Sequence, residues 1–454
     1  MPVSVEKLEP YFIPARRARY ARVSIWLRTH AVLASLMVLF CSASLRLVMI
    51  SRADMNQLVA DYSDAGTFFI PAQNLIDQRE FLNNKGKPMI SRTPGYPVFL
   101  AGIMLLVGRD MRTVLIAQTI ILSCGPLILY RVARQALPPV MAVVAGLIAA
   151  FSPWGAVLAV APMSDGLFLF LLTLIFLLIK LEANSQPANA FLGAASIGIL
   201  TGIAVLVRPI WPLTILIAAV FFFYYGAKRK GVLLLLLVNL ACAITPLALW
   251  RERNQREAHF DGISDISGHT VWVYLAARVR AEVTGLNRYE VSRLAEDERN
   301  NWAVPLSSQE AETEAWRRSA AIFREHPLVT VYSFGRSAFE HFIHPSPDVV
   351  RAVSLNFFGD IVVLAILWGG LLLFSAYALL RPISNPAWED GYIDWQFLLA
   401  MLVVSGALTL SSGVSFGAAS RLRAPMETVI PLLAAIGLAR VIHPFHRIEG
   451  EKRR

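Results

Sequence analysis

Long apolar runs recur along nearly the whole chain, and they limit the possible folds more than any other feature. About 20 apolar residues cross a hydrocarbon core roughly 30 Å thick as a helix. Runs near that length begin at Ala31, Thr113, Val140, Leu167, Ala190, Ile210, Gly231, Leu355, Gln396 and Ala424. Backbone polar groups inside a bilayer must be satisfied internally, so only helices and closed barrels span it. Unbroken apolar runs, without the alternation of barrel strands, select helices. Composition agrees, since 56% of the 454 residues are hydrophobic and 16% are charged, where soluble domains carry about a quarter charged residues. The net charge of +10 does not indicate nucleic acid. Its lysines and arginines flank the apolar runs in short segments, the pattern of topology signals and headgroup contacts. Cys41, Cys124 and Cys242 all fall inside apolar runs, without metal-ligand spacing or a disulfide framework.

Charge bias orients the runs. Arg16, Arg17, Arg19, Arg22 and Arg28 precede Ala31 to Ile50, which reads as a cytoplasmic flank and a signal-anchor helix. A cleavable signal peptide is the alternative. Pro97 to Gly108 is short enough to be interfacial or re-entrant and is not counted as a crossing. The runs Thr113 to Tyr130, Val140 to Val160, Leu167 to Lys180, Ala190 to Val207 and Ile210 to Gly226 then alternate in direction. Lys228, Arg229 and Lys230 mark the cytoplasmic side, and Gly231 to Trp250, Leu355 to Leu380, Gln396 to Leu410 and Ala424 to Val441 complete the crossings. The expected fold is an all-α polytopic membrane protein of about ten transmembrane helices, with external amphipathic helices and both termini cytoplasmic. Residues 1–250 form an N-terminal membrane module whose first external loop, 51–108, carries the catalytic region. Residues 251–347 form an external helical loop, and 348–454 the last transmembrane helices and a cytoplasmic tail. In the external loop, Ser307-Ser308-Gln309-Glu310 has the form of a capping box. Trp316, Ala320 and Phe323 follow at helical spacing, and His326-Pro327 predicts a break.

Under this threading Asp64, Arg92, Asp165, Arg208, Arg251 and Arg421 all reach one side of the membrane. Ionisable groups at membrane depth cost roughly 2.5 to 3.5 kcal/mol each on insertion scales, which makes each a candidate for function. Carboxylates and arginines converging at one face suit chemistry on a hydroxyl and a phosphate. Asp64 is also placed to cap the helix that follows, since Asp is favoured there. Arg92-Thr-Pro-Gly-Tyr96-Pro97 forms a rigid turn, and serves equally as a phosphate clamp or a plain turn into a helix. Among the histidines of the external region, His341 and His344 can share a helix face, but no carboxylate pattern completes a zinc site.

These motifs, in order, resemble the bacterial membrane glycosyltransferases of the GT-C class, relatives of the protein O-mannosyltransferases and the lipid A aminoarabinose transferase. The resemblance runs through Asp64-Ala65, Arg92-Thr-Pro-Gly-Tyr-Pro97, Pro162-Met-Ser-Asp165, Arg208-Pro209, Trp250-Arg251-Glu-Arg-Asn254, Ala315 to Pro327 and Arg421-Leu-Arg423-Ala-Pro425. Where the family shows a Gly-Gly-rich turn, this chain has Ser267-Gly-His269.

The resemblance implies a sugar donor on a polyprenyl phosphate and a hydroxyl acceptor, joined with inversion at the periplasmic face of a bacterial inner membrane. The acceptor is an envelope glycolipid, polysaccharide or protein. Asp64 is then the general base, and Asp165 orients it, binds sugar hydroxyls or joins it in holding a divalent cation. Arg92, Arg208, Arg421 and Arg423 are the donor-phosphate candidates, with Arg423 equally readable as a snorkelling residue. Tyr96, Arg251, Asn254 and His269 are substrate-binding candidates. The implied reaction requires no organic cofactor and no dedicated metal site, a divalent cation remaining compatible with it. Membrane lipids are the surrounding partners. A lipid or sugar transporter is the competing class. Such proteins show repeated halves and broken helices at mid-membrane depth, whereas here the charges gather at helix ends and no halves repeat.

Overall fold

The computed structural model describes residues 22–56, 58, 64–184, 189–226, 231–343, 357–380, 392–415 and 419–442. Arg16, Arg17, Arg19, Lys228, Arg229, Lys230 and His344 lie outside the described residues. Within them the protein is all helical, with a single isolated bridge between Leu82 and Pro88. Seven helices are long and apolar enough to cross a membrane, or nine when each of two bent pairs counts as one span. The chain is a multi-pass membrane protein.

The differences from the expected ten spans trace to prolines. Val140 to Val160 is two helices, Pro139–Ala150 and Pro153–Val160, bent by 51°. Pro153 has no N–H to continue the first helix, and Ser152 caps the second by accepting from the Gly155 N–H. Ala424 to Val441 is likewise a 3₁₀ segment, Ala419–Thr428, and a helix, Ile430–Ile442, bent by 55°. Pro425 lies inside the 3₁₀ segment, and Pro431 opens the helix. The expected span Ile210 to Gly226 is a 15-residue helix, Pro212–Gly226, about 22 Å long at 1.5 Å per residue. Gly95–Val107 is a 13-residue apolar helix, too short to cross, as its sequence indicates.

The helix expected to end at Trp250 runs on as Val232–Ala258, so the boundary at 250/251 falls inside one rigid element. Beyond it stands a cap of short helices: Ile266–Thr270, a π-helical turn Val271–Ala276, Ala277–Thr284, Arg288–Ala303, Ser308–Glu325 and Pro327–Ile343. The capping box at Ser307 and Glu310 forms as expected, and the helix breaks at His326. The cap has its own small core around Trp272, Ala276, Val291, Ala295 and Ala315, whereas the membrane helices share one continuous core.

Candidate active site

The first carboxylate sits where a loop meets the Ala65–Asp77 helix. Asp64 occupies the N-cap position, yet its side chain makes no cap hydrogen bond. Its backbone carbonyl instead accepts from the N–H and hydroxyl of Thr67, at 2.9 and 2.6 Å. That corrects the capping reading and leaves the carboxylate available. Arg92 donates to Oδ1 of Asp64 at 2.6 Å and to Thr67 Oγ1 at 2.9 Å. Its guanidinium also lies 5.0 Å from the Phe68 ring centroid. The turn holding Arg92 is pressed onto the end of the Ala190–Val207 helix. A Cβ on Gly95 would stand 2.6 Å from the backbone nitrogen of Val207, so only glycine allows that approach, one residue from Arg208.

The second carboxylate, Asp165, is buried in the first turn of the Ser164–Ala183 helix, where an anion suits the positive end of the helix dipole. It forms an ion pair with Arg208, whose guanidinium lies over the Phe168 ring. Arg421 joins the two carboxylate groups. Its Nη2 is 3.8 Å from Oδ2 of Asp64 and its Nη1 is 3.9 Å from the Met163 sulfur, two residues before Asp165. Its charge also acts on Arg208. Asp64, Arg92, Asp165, Arg208 and Arg421, drawn from five separate segments, thus converge. The Asp64 side chain is 36% exposed, Arg421 31% and Arg92 17%, so the cluster opens to solvent on the Asp64 side.

The cap brings a further side chain into range of the cluster. Tyr274, on the π-helical turn, lies in the electrostatic field of Asp64, Arg421, Glu296 and Arg92. Burial first, then Asp64, pushes its phenol above the ordinary value. Single π turns concentrate at functional sites, but no sequence motif marks this one. Beside it His269 pairs with Glu296 at 2.7 Å, and its ring meets that of Tyr274 edge-on. The hydrogen bond from His269 holds the Glu296 carboxyl below its ordinary range. Asp265 has the opposite shift, raised by burial and by Glu312.

Other sequence candidates have scaffold contacts. Tyr96 is fully buried and donates its hydroxyl to Gln118 at 2.7 Å. Asn254 is buried and donates to the carbonyls of Gly262 and Ile263 at 2.9 and 3.2 Å, fastening the cap to the helix below. Arg251 is exposed and donates two hydrogen bonds to Asp261, at 2.6 and 2.9 Å. Arg423 does not snorkel to the surface. It is fully buried, 4.6 Å from the Trp154 ring centroid and 3.9 Å from that of Trp368. Aromatic faces stabilise such a desolvated guanidinium. Among the described residues no three His, Cys, Asp or Glu side chains could hold an ion, and both site carboxylates are engaged by arginine.

This multi-pass helical bundle, with paired carboxylates and arginines where its helix ends converge and a cap of short helices beside them, has the GT-C fold. Residues 91–250 match the family model of dolichyl-phosphate-mannose-protein mannosyltransferases, a stretch that includes Arg92, Asp165 and Arg208. Among solved structures, the oligosaccharyltransferase AglB from Archaeoglobus fulgidus, in complex with an inhibitory peptide and a dolichol-phosphate, matches at TM-score 0.50 and 12% identity. The alignment covers 92% of this chain and 51% of that one, so the chain spans about half the length of the archaeal enzyme. ArnT from Cupriavidus metallidurans bound to undecaprenyl phosphate matches at TM-score 0.41 and 14% identity, over 91% of this chain and 78% of that one. No curated protein matches in sequence.

Proposed function

We propose that this protein transfers a sugar from a polyprenyl-phosphate donor to a hydroxyl of an envelope glycolipid, polysaccharide or protein, at the external face of a bacterial inner membrane. The observation that carries this reading is the half-exposed Asp64 carboxylate held between Arg92 and Arg421, at 2.6 and 3.8 Å. The match to dolichyl-phosphate-mannose-dependent transferases and the dolichol-phosphate bound by AglB support the donor class.

The pairing suggests how the site is switched on. With no donor, Arg92 holds Oδ1 of Asp64 at 2.6 Å and occupies an oxygen that would meet the acceptor hydroxyl. The donor phosphodiester carries one negative charge on two non-bridging oxygens, as a carboxylate does, and gains a second charge as its bond to the sugar breaks, so the departing phosphate draws Arg92 and Arg421 to itself. Asp64 is then free to take the proton of the acceptor hydroxyl. The acceptor oxygen bonds to the anomeric carbon from the face opposite the phosphate. The anomeric carbon–oxygen bond breaks, and its electron pair leaves on the polyprenyl phosphate. Negative charge grows on that phosphate in the transition state, where Arg92, Arg421 and Arg208 are already aligned. Asp165 holds Arg208 in place through their buried pair. Tyr274 and the His269–Glu296 pair border the acceptor side.

Mass spectrometry of envelope lipids and glycans tests the reading. A strain lacking the protein should lose a glycan that wild-type protein restores and Asp64→Asn does not. Full restoration by Asp64→Asn would remove Asp64 from the base role, and an unchanged envelope profile in the deletion strain would refute sugar transfer.

A further inference from the structure

One helix of the cap has its polarity inside out. On Pro327–Ile343 the side chains turned toward the protein are small or polar: Ser333, Ser337, Ala338 and His341, all buried. The opposite face shows Leu328 84% exposed, Val331 71%, Phe339 62%, Tyr332 55% and Ile343 47%. In a helix bordering water the arrangement is the reverse, apolar inward and polar outward. Full burial of a Leu, Val, Ile or Phe side chain is worth about 1.5 to 3 kcal/mol, so four such residues and a tyrosine left in water form a costly surface.

We propose that this face rests in the outer leaflet of the bilayer, making Pro327–Ile343 an interfacial helix that seats the cap on the membrane. Its position fits that occupant. Phe334 packs against Gly413, at the end of the span Trp395–Val414. His341 bonds to the Ser415 carbonyl at 2.8 Å, at that same end. The Phe342 carbonyl accepts from the Trp368 indole at 2.8 Å, inside the apolar span Val362–Leu380. Those two spans carry exposed apolar residues of their own, among them Leu410, Val363 and Ile366, so the stripe belongs to an element joined to apolar, lipid-suited surface. Interfacial helices bury their apolar side about 5 to 10 Å into the boundary between headgroups and acyl chains. Arg336, the one charged residue on the stripe, is half-exposed and reaches Glu282 and Glu340. Its apolar stem can lie along the lipid surface while its head stays polar. The inward face is bolted to the rest of the cap, because the buried Arg278 binds Ser337 at 2.7 Å and Glu340 at 2.9 Å.

Fluorescence quenching in lipid nanodiscs tests this without any turnover. In protein with Cys41, Cys124 and Cys242 replaced by Ala, a bimane label is placed at Val331→Cys or Phe339→Cys. Arg317→Cys, exposed on the neighbouring helix, is the aqueous control. Doxyl-labelled phosphatidylcholine should quench the labels at 331 and 339 severalfold more than the label at 317, and iodide should show the reverse order. Equal iodide access at all three positions would overturn the proposal. Exclusion of both quenchers at 331 and 339 would overturn it too, by showing that protein covers the face.

Discussion

The Ser164–Ala183 helix has an ion pair near each end, and the two are built differently. Near its C-terminus Lys180 bonds to Asp394, and Tyr224 donates to the same carboxylate at 2.6 Å. The Phe397 N–H donates to the other oxygen at 3.0 Å, and the rings of Tyr224 and Phe397 flank the ammonium at 5.3 Å each. The side chains of that pair are 6% and 9% exposed. At the N-terminal end Asp165 pairs with Arg208, but the cluster continues through Arg421 to an Asp64 that water can reach. Both ends use a carboxylate and a cation at the edge of the membrane domain. The Lys180 end is saturated and sealed, as a structural joint should be. The Asp64 end has more cation than carboxylate and an open side, so an anion has a reason to bind there. Exposure and incomplete pairing, rather than charge alone, separate the site from the joint.

Substitutions at the two ends should therefore fail in different ways. Asp64→Asn should show the largest loss of turnover, of the order of 10² to 10⁴, the usual contribution of general base catalysis. Its thermal unfolding in detergent should match wild type. Asp394→Leu should instead cost about 3 to 5 kcal/mol of stability, because it leaves Lys180 buried without its counter-ion. Turnover per folded molecule should stay unchanged, and adding Lys180→Met should recover most of the stability. Equal loss of turnover at the two ends would collapse the distinction. Arg92→Lys and Arg208→Lys should lower turnover by about one to two orders of magnitude, since an ammonium keeps the charge but not the two-pronged geometry. An Arg208→Lys enzyme with unchanged kinetics would reduce Arg208 to an anchor for Asp165.

The smallest effect belongs to the cap. Burial disfavours the charged form of Glu340, but hydrogen bonds from Arg278 and Arg288 outweigh it and hold the carboxyl down at about 2. A lowered carboxyl contributes its stability above the ordinary value of 4.5 and loses it as pH falls toward about 2. Proteolytic resistance of the cap should be flat from neutral pH to about 5 and then decline. Glu340→Gln should remove much of that decline.

What could be read from sequence follows from what each feature depends on. Charges at the ends of apolar runs were legible because their cost in lipid is local, and Asp64, Arg92, Asp165, Arg208 and Arg421 do meet. The capping box at Ser307 was legible because its two partners, Ser307 and Glu310, are close neighbours in the sequence. Pro153 and Pro425 stood in plain view, but hydropathy alone ran both spans through them. The surroundings of Arg423 were not legible because Trp154 and Trp368 are far away in the chain and come together only on folding. Asn254 and Arg251 sit in a family-like motif, yet their contacts are with the adjacent turn at 261–263. Tyr274 depends on a π turn that no periodicity announces.

The central claim is that Asp64 and the lipid phosphate that leaves in the reaction compete for Arg92 and Arg421, and undecaprenyl phosphate represents that leaving group. Titration of undecaprenyl phosphate into purified wild-type and Asp64→Asn protein, followed by quenching of intrinsic tryptophan fluorescence or by thermal shift, tests it most directly. Removing the competing carboxylate should make the catalytically dead variant bind the lipid phosphate more tightly than wild type does. Equal or weaker binding by Asp64→Asn would contradict the account.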